Sequence, residues 1–217
     1  MVCFDPVDGS SNLDVNGIVG TIFSIRRGSE PMQPGTAQVA AGYVMYGPAT
    51  LLVLTTGDGV DGFTLDAARG EFVRSHHRVR IPARGRIYSV NEGNFSKWER
   101  GVQRYVEDLR AADVATGRPY SARYVGSLVA DFHRTLLEGG IFIYPADAAG
   151  GKSSGKLRLQ YEAAPMGFIA EQAGGRASTG RERIMTIEPA APHERVPLFI
   201  GSPEDVALAE DFTAGRK

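Results

Sequence analysis

The stretch Cys3-Phe4-Asp5-Pro6-Val7-Asp8-Gly9-Ser10-Ser11-Asn12 carries the features on which the prediction of fold and site depends. Asp5 and Asp8 lie three residues apart, where a short apolar run meets a turn rich in proline, glycine and serine. Hard cations such as Mg²⁺ prefer carboxylate oxygens, and they keep open positions for water and phosphoryl oxygens. Gly9 lets the backbone approach an anion, and Ser10-Ser11-Asn12 could begin a helix whose free N–H groups favour a phosphate. The turn therefore predicts a metal site beside an anion site.

The same residue types also form ordinary turns. Aspartate, proline, glycine, serine and asparagine favour surface turns that bind nothing, and a short motif stays a hypothesis until its context agrees. The turn taken alone is compatible with both readings, so the remainder of the chain must decide between them.

Composition places the chain among ordinary globular proteins. Its 217 residues can bury a sizeable core, and 42% are hydrophobic and 23% charged. The formal net charge of −1 gives no electrostatic basis for binding nucleic acid or an anionic membrane. The single cysteine, Cys3, excludes an internal disulfide. No apolar run has the length of a membrane span or of an export signal, and a cytoplasmic location is the default expectation.

Periodicity predicts strands in the first half of the chain. The runs at residues 20–27, 41–46, 50–56 and 62–65 are rich in β-formers and separated by glycine-containing turns, which is typical of an antiparallel meander. Shorter extended pieces are expected at residues 71–74 and 78–81, and a further strand at 87–90. His76 and His77 lie among polar residues and are expected in a solvated loop.

The second half of the chain shows helical spacing. Helices are predicted over residues 96–111, 129–138, 157–173 and 203–212, with strands at 141–145 and 198–201 and a loop at 146–155. Pro165 is expected to kink the long helix that starts at residue 157. Glu162 falls within this helix among apolar residues, where a carboxylate needs a partner or a metal because burying an unpaired charge is costly.

Several blocks taken together resemble class I fructose-1,6-bisphosphatase of the bacterial type. The first motif is also shared with the wider magnesium-dependent, lithium-sensitive phosphatases, whereas the later blocks are specific to sugar bisphosphatases. The match runs in the expected order to Gly201-Ser202-Pro203. The blocks are Asp5 to Asn12, Gly20-Thr21-Ile22-Phe23, Asn91-Glu92-Gly93, Arg123-Tyr124-Val125-Gly126-Ser127, Gly139 to Pro145 and Gly155 to Glu162.

The resemblance implies a metal-assisted phosphatase. Asp5, Asp8 and Glu162 correspond to metal-binding catalytic carboxylates, and the carbonyl group of Val7 joins the same shell, which holds two or more Mg²⁺ ions in the complete family. Asp8, with the neighbouring Gly9-Ser10-Ser11, corresponds to the positions that hold the phosphate being removed. The implied reaction is hydrolysis of the 1-phosphate of fructose 1,6-bisphosphate to fructose 6-phosphate, in gluconeogenesis or the Calvin cycle.

The resemblance also implies a pocket for the phosphate that stays on the sugar. Asn91, Tyr124, Tyr144 and Lys156 match that pocket, and Arg123 matches a residue that enters it from a neighbouring subunit of a homotetramer. A phosphate dianion favours the positive charge of lysine and arginine together with phenol and amide donors. Outside this pocket, Arg27 matches a single contact for the regulator AMP, too little on its own to establish regulation.

Three departures limit the transfer. Asn94 and Phe95 stand where many members have a tyrosine, and Leu128 stands where methionine is common. In addition, the chain begins roughly a third of the way along the family, after acidic residues that normally complete the metal cluster and activate water. The resemblance therefore predicts an N-terminally truncated sugar phosphatase fold whose hydrolysis is impaired, with an apolar face left uncovered.

The expected architecture is layered α/β with two parts. Residues 1–115 form the remainder of an N-terminal α/β subdomain with the metal and phosphate turn, and residues 116–217 form a C-terminal α/β subdomain with the sugar-phosphate pocket. Two alternatives remain open. One is a sedoheptulose-1,7-bisphosphatase or an enzyme with dual specificity, and the other is a non-catalytic fragment that binds sugar phosphate or takes part in assembly.

Overall fold

The N-terminal part of the chain, up to His76, forms a six-stranded antiparallel sheet. The computed structural model describes residues 1–148 and 155–217. Neighbouring strands of the sheet follow the chain in order, so that β1 lies at one edge and β6 at the other, and the predicted meander is confirmed. The strands are Val2–Asp8 (β1), Val19–Arg26 (β2), Gln38–Tyr46 (β3), Thr50–Thr55 (β4), Asp61–Asp66 (β5) and Glu71–His76 (β6).

A five-stranded mixed sheet forms the second half. Its order is β11-β13-β9-β7-β8, with β7 parallel to both of its neighbours, while β10 and β12 pair separately as a two-stranded ribbon. The chain passes from the first sheet to the second between His76 and Ile87. The domain boundary predicted from the sequence lies further along, between residues 115 and 116. The strands are Ile87–Ser89 (β7), Ser121–Ala122 (β8), Ile141–Tyr144 (β9), Leu157–Arg158 (β10), Arg176–Ser178 (β11), Arg195–Val196 (β12) and Leu198–Gly201 (β13).

In residues 1–148 and 155–217, four α-helices complete the layers. They are Arg100–Arg110 (α1), Leu128–Glu138 (α2), Ala164–Gln172 (α3) and Pro203–Thr213 (α4). The longest of them have 11 residues, and within the described part of the chain none is long and apolar enough to cross a bilayer.

Alternation along the strands explains how the layers are ordered. Ile22 and Tyr43 on the inner face of the first sheet join one core with Phe132 of α2 and Ile169 of α3. Phe142 of β9 belongs to that same core. Its neighbours Ile141 and Ile143 point to the opposite face of β9 and pack in a second core, which includes residues of α1 and α4. The order is therefore sheet, helices, sheet, helices, which confirms the layered α/β prediction.

The long helix predicted over residues 157–173 is wrong in its first part. Leu157–Arg158 is a strand, Leu159–Ala163 is a π-helical turn, and the α-helix starts only at Ala164. Pro165 lies in the first turn of α3, where its missing N–H costs nothing, so it starts the helix instead of kinking one. The apolar residues of the strand, the π-helical turn and α3 all pack in the same core. For this reason their spacing in the sequence resembles that of one continuous helix.

Smaller differences lie at element ends. The helix predicted from residue 96 starts at Arg100, since Glu92–Lys97 forms a 3-10 helix first, and residues 78–81 are not a strand. His76 belongs to β6, and His77 lies within 3.1 Å of Asp61. The loop predicted at 146–155 includes residues 149–154, which lie outside the described residues.

Candidate metal and phosphate site

A bulge in β1 places Asp5 and Asp8 on the same face of the first sheet. Residues three apart on a regular strand point to opposite faces. Here Asp5 pairs with Ile22 and Asp8 pairs with Gly20, so three steps on β1 match two steps on β2. The extra residue restores the orientation of Asp8. Both carboxylates consequently face the helices that cover the inner side of the sheet.

The start of α2 holds Asp8 in place. Its Oδ2 atom accepts hydrogen bonds from the Ser127 hydroxyl and from the backbone N–H of Val129, each at 3.0 Å, and only 4% of Asp8 is exposed. The first N–H groups of a helix have no partner within the helix, and the helix dipole favours a negative charge there. Asp8 thus links the first sheet to α2 across more than a hundred residues of sequence.

The π-helical turn supplies the third carboxylate. Glu162 is 6% exposed, and its Oε2 atom accepts a hydrogen bond of 2.6 Å from the backbone N–H of Arg158. One oxygen from each of Asp5, Asp8 and Glu162 lies within 4.8 Å of the others. The structure therefore brings together the three acidic residues that the sequence pointed to.

The electrostatics of this cluster favour a cation. Burial raises the pKa of Asp8 to about 6, and the nearby carboxylates add to this, while its two hydrogen bonds oppose it. Burial likewise raises the pKa of Glu162 to about 7, with smaller contributions from Asp5 and Asp8. Crowded, buried carboxylates of this kind are the oxygen donors that a divalent cation prefers. The donor set fits a divalent cation that prefers oxygen ligands.

The turn after β1 needs glycine at residue 9. Gly9 has a φ of +73°, and a Cβ atom there would lie 2.8 Å from the Cβ of Ser127. A larger residue would combine backbone strain with a clash against the start of α2. Glycine therefore allows the short helix Ser10–Val15 to begin directly beside Asp8.

A cleft open to solvent lies over the acidic cluster. A smaller pocket lies next to it, and Tyr144 and Lys156 line both. Burial raises the pKa of Tyr124 to about 12 and that of Tyr144 above its usual value, so both phenols stay protonated donors at neutral pH. The predicted residues that line the cleft are Asp5, Val7, Asp8, Gly9, Ser10, Ser11, Tyr124, Tyr144, Lys156 and Glu162.

Three predicted residues lie elsewhere. Asn91 lines the smaller pocket, where its side chain also accepts a hydrogen bond from the N–H of Gly93. Arg123 is exposed, donates to the carbonyl group of Ala122 at 2.9 Å and does not line the cleft. Arg27 lines a separate cavity beside α3.

Sequence reasoning assigned no role to several residues in or beside the cleft. Ser127 is recognisable in the sequence as a helix cap, but its bond to Asp8 depends on the tertiary fold. Arg158 and Arg195 face each other in the ribbon of β10 and β12, and both line the cleft. Arg195 could not be identified from the sequence, because its place in the cleft depends on the pairing of β12 with β10.

Two sheets alternate with helices, and an acidic cluster lies beside a glycine-serine turn, so the chain is a layered α/β protein with a candidate metal and anion site. The family model "Fructose-1-6-bisphosphatase, N-terminal domain" matches residues 1–77, and "Fructose-1-6-bisphosphatase, C-terminal domain" matches residues 81–214. The chain belongs to the fructose-1,6-bisphosphatase family.

Individual relatives agree with this assignment. "Fructose-1,6-bisphosphatase class 1" of Chloroherpeton thalassium is 57% identical over 100% of this chain, and that of Chlorobaculum tepidum is 53% identical over 100%. The chain spans 64% and 68% of the length of these two proteins. The crystal structure of Leishmania major fructose-1,6-bisphosphatase in apo form matches with a TM-score of 0.92 and 46% sequence identity. The matched region covers 99% of this chain and 72% of the Leishmania chain.

Proposed function

We propose that this chain carries the metal and substrate groups of a Mg²⁺-dependent hydrolase that converts fructose 1,6-bisphosphate to fructose 6-phosphate. Membership of the family supports this reaction class. The observation that carries the proposal is the meeting of Asp5, Asp8 and Glu162 within 4.8 Å in a cleft that also holds Tyr144 and Lys156. Acidic and basic groups thus share one cavity, as a metal and a phosphate require.

The three carboxylates would hold the cation, and the carbonyl group of Val7 would join them. A bound Mg²⁺ ion polarises phosphoryl oxygens and lowers the pKa of water. The N–H groups at the start of the Ser10–Val15 helix have no partner within the helix, and with the hydroxyl groups of Ser10 and Ser11 they would orient the 1-phosphate. Gly9 allows this close approach because it carries no side chain.

The second phosphate of the substrate would lie between the two cavities. Tyr144 and Lys156 line both, while Tyr124 lines the cleft and Asn91 the smaller pocket. One lysine charge, two neutral phenols and an amide can bind a phosphate without attacking it. These groups would fix the sugar so that its 1-phosphate points towards the acidic cluster.

Arg123 would act in a neighbouring copy of the chain. It is exposed and does not line its own cleft, which is compatible with a homo-oligomer in which it completes the pocket of another subunit. For Arg27, the resemblance supports an AMP contact in the separate cavity that it lines. A cytoplasmic location also remains a prediction.

A group that accepts the proton of the attacking water is not evident. Among the described residues that line the cleft, no histidine and no carboxylate is present besides Asp5, Asp8 and Glu162. If all three hold the cation, none is left as a separate general base. We therefore expect this chain to bind metal and substrate and to hydrolyse the substrate slowly.

The test measures binding and hydrolysis separately. Isothermal titration calorimetry with Mg²⁺ and phosphate release from fructose 1,6-bisphosphate should both be weakened at least tenfold by Asp8→Asn, because one charged ligand of the cation is lost. Asp14→Asn is the matched control, since Asp14 is an exposed acid in the neighbouring short helix. Undiminished Mg²⁺ binding and hydrolysis in the Asp8→Asn variant would refute the metal assignment.

The same assay separates the remaining alternatives. Comparison of fructose 1,6-bisphosphate with sedoheptulose 1,7-bisphosphate distinguishes the two substrate specificities by kcat/KM. Metal and substrate binding with no detectable phosphate release would favour a non-catalytic fragment. Phosphate release that depends on both Mg²⁺ and Asp8 would support the hydrolase.

A further inference from the structure

Arg26 is a buried cation that the reaction proposed above does not use. It lies at the end of β2, and only 2% of it is exposed. Its guanidinium donates to the carbonyl oxygen of Gln33, and through Nη2 to that of Gln160 at 3.1 Å. No carboxylate among the described residues lies within ion-pair distance of it. Arg26 therefore bridges two backbone segments and is not part of an ion pair.

Two buried glutamines join the same segments. Gln160 donates through Nε2 to the carbonyl oxygen of Pro31 at 2.8 Å. Gln38 donates to the carbonyl oxygens of Gly35 at 2.9 Å and Ala164 at 3.0 Å. These hydrogen bonds join the connection between β2 and β3 to both ends of the π-helical turn. Arg26 and Gln160 make the link near its start, and Gln38 makes the link just after its end, at Ala164. Glu162 lies in the middle of that turn.

This arrangement costs free energy. Arg26 Nε, Gln38 Oε1 and Gln160 Oε1 are buried and have no hydrogen-bond partner within the described chain. Burial also lowers the pKa of Arg26, as expected when a cation is removed from water. The structural result of the contacts is a fixed π-helical turn, a geometry that is rare and is frequently found at functional sites.

We propose that Arg26 and Gln160 are positioning residues for Glu162. By holding the carbonyl group of Gln160 and the side chain beside it, they would fix the π-helical turn in the register that brings the Glu162 carboxylate to Asp5 and Asp8. The inference rests on the proposed metal site. It assigns to the β2–β3 connection a role in metal affinity, although no residue of that connection reaches the acidic cluster.

Arg26→Met tests the inference, since methionine fills part of the same space and cannot donate. Calorimetric titration with Mg²⁺ should show about tenfold weaker binding, as is typical when the groups that orient a metal ligand are lost. Arg118→Met is the matched control. Arg118 has a side chain only 8% exposed, pairs with Asp108 at 2.6 Å and also has an unpartnered Nε, and it lies outside the cleft.

Hydrogen exchange of the metal-free protein supplies a readout independent of activity. The amides of residues 159–164 should exchange faster in Arg26→Met than in wild type. In Arg118→Met their exchange rates should equal those of wild type. Metal binding within twofold of wild type, or unchanged exchange in this turn, overturns the inference. Failure of the proposed metal site would give a different result, because wild type and Asp8→Asn would then bind Mg²⁺ equally. In that case the hydrogen-exchange rates of residues 159–164 would still show whether Arg26 fixes the π-helical turn.

Discussion

At the scale of single residues, the acidic cluster opposes folding when no metal is bound. Glu162 and Asp8 are almost completely buried, and burial raises the pKa of each. Both side chains must therefore be desolvated and brought near another negative charge when the chain folds. Residues that hold a cation commonly reduce stability in this way, and a gain in stability on their removal is expected to accompany a loss of function.

Glu162→Gln should stabilise the metal-free protein in a pH-dependent manner. The pKa of Glu162 rises from 4.5 to about 7 on folding, so at pH 8 the folded state bears the full cost of the charge. As the pH falls from about 7 to 4.5, the folded state takes up the proton first and the wild type regains stability. The advantage of the variant should be on the order of 3 kcal/mol at pH 8 and should shrink on acidification.

Urea unfolding in the presence of EDTA at pH 8 and pH 5 measures this difference. Saturating Mg²⁺ should stabilise the wild type but not Glu162→Gln, because a ligand that binds only the folded state adds to its stability. A variant less stable than wild type at pH 8, or one stabilised equally by Mg²⁺, would contradict the prediction.

The sequence indicated which side chains could bind a cation, but it did not indicate which other residues would contact those side chains. Asp5, Asp8 and Glu162 could be selected from the sequence, because carboxylates in a turn and within an apolar helical pattern need an explanation. That Ser127 and Val129 hold Asp8 could not be predicted, since these contacts span more than a hundred positions and depend on how α2 packs on the sheet.

At the scale of elements, the first turn of α2 both starts a helix and holds the buried carboxylate of Asp8. The Ser127 hydroxyl donates to Asp8 and also accepts from the N–H of Ala130 at 3.5 Å. Ser127 is the N-cap residue of α2, and the N–H of Val129 in the first turn, which has no partner within the helix, donates to Asp8. Removal of this hydroxyl should therefore affect helix stability and the acidity of Asp8 together.

Ser127→Ala should lower stability by about 1 kcal/mol, as for loss of a helix cap, and should weaken Mg²⁺ binding mainly at low pH. The hydrogen bond from Ser127 lowers the pKa of Asp8, so its loss raises that pKa above the present value of about 6. Protons then compete with the metal at pH 6.5, and the defect recovers at pH 8.5, as calorimetry at both values can show.

Ser202→Ala is the control for that experiment. Ser202 is a buried serine that precedes α4, and its hydroxyl accepts a hydrogen bond from the N–H of Gly140 at 2.9 Å. Its loss should reduce stability without changing the pH dependence of Mg²⁺ affinity. Equal pH dependence in wild type and Ser127→Ala would show that the hydroxyl does not tune Asp8.

The π-helical turn marks the limit of local prediction. The spacing of apolar residues favours one helix from residue 157, and it contains no sign of a strand followed by a π turn. The contacts that accompany the observed conformation come from Arg26 and Gln38, more than a hundred residues away. Helix α2 and the meander were predictable because their signals, a cap with a glycine stop and alternating strands with glycine turns, are local.

At the scale of the whole molecule, the layers leave the outer face of the first sheet open near β1. Val2, Phe4 and Ile25 are 61%, 58% and 41% exposed. Val2 pairs directly with Ile25, and Phe4 with Phe23, so these side chains share one face. Exposed apolar side chains grouped on one face offer a surface on which two molecules can associate.

Phe4→Thr combined with Ile25→Thr should reduce self-association. Threonine keeps the β propensity of both strands while removing apolar area. Sedimentation velocity over a range of concentrations should show less concentration dependence for the double variant than for wild type. Leu13→Thr is the control, because Leu13 is exposed to a similar degree in the short helix after β1. Indistinguishable sedimentation of wild type and the double variant would exclude this face as a contact.

The position of β1 at the edge of its sheet has a consequence for the backbone beside Asp5. In the described chain β1 pairs only with β2, so its other side has no strand partner. Pro6 has no N–H, and the N–H of Val7 donates to Asp5 Oδ1 at 3.1 Å. The carbonyl group of Pro6 accepts a hydrogen bond from the Thr21 hydroxyl at 2.9 Å. This end of the edge therefore offers little to an added strand, which protects the acidic cluster from unwanted β-pairing.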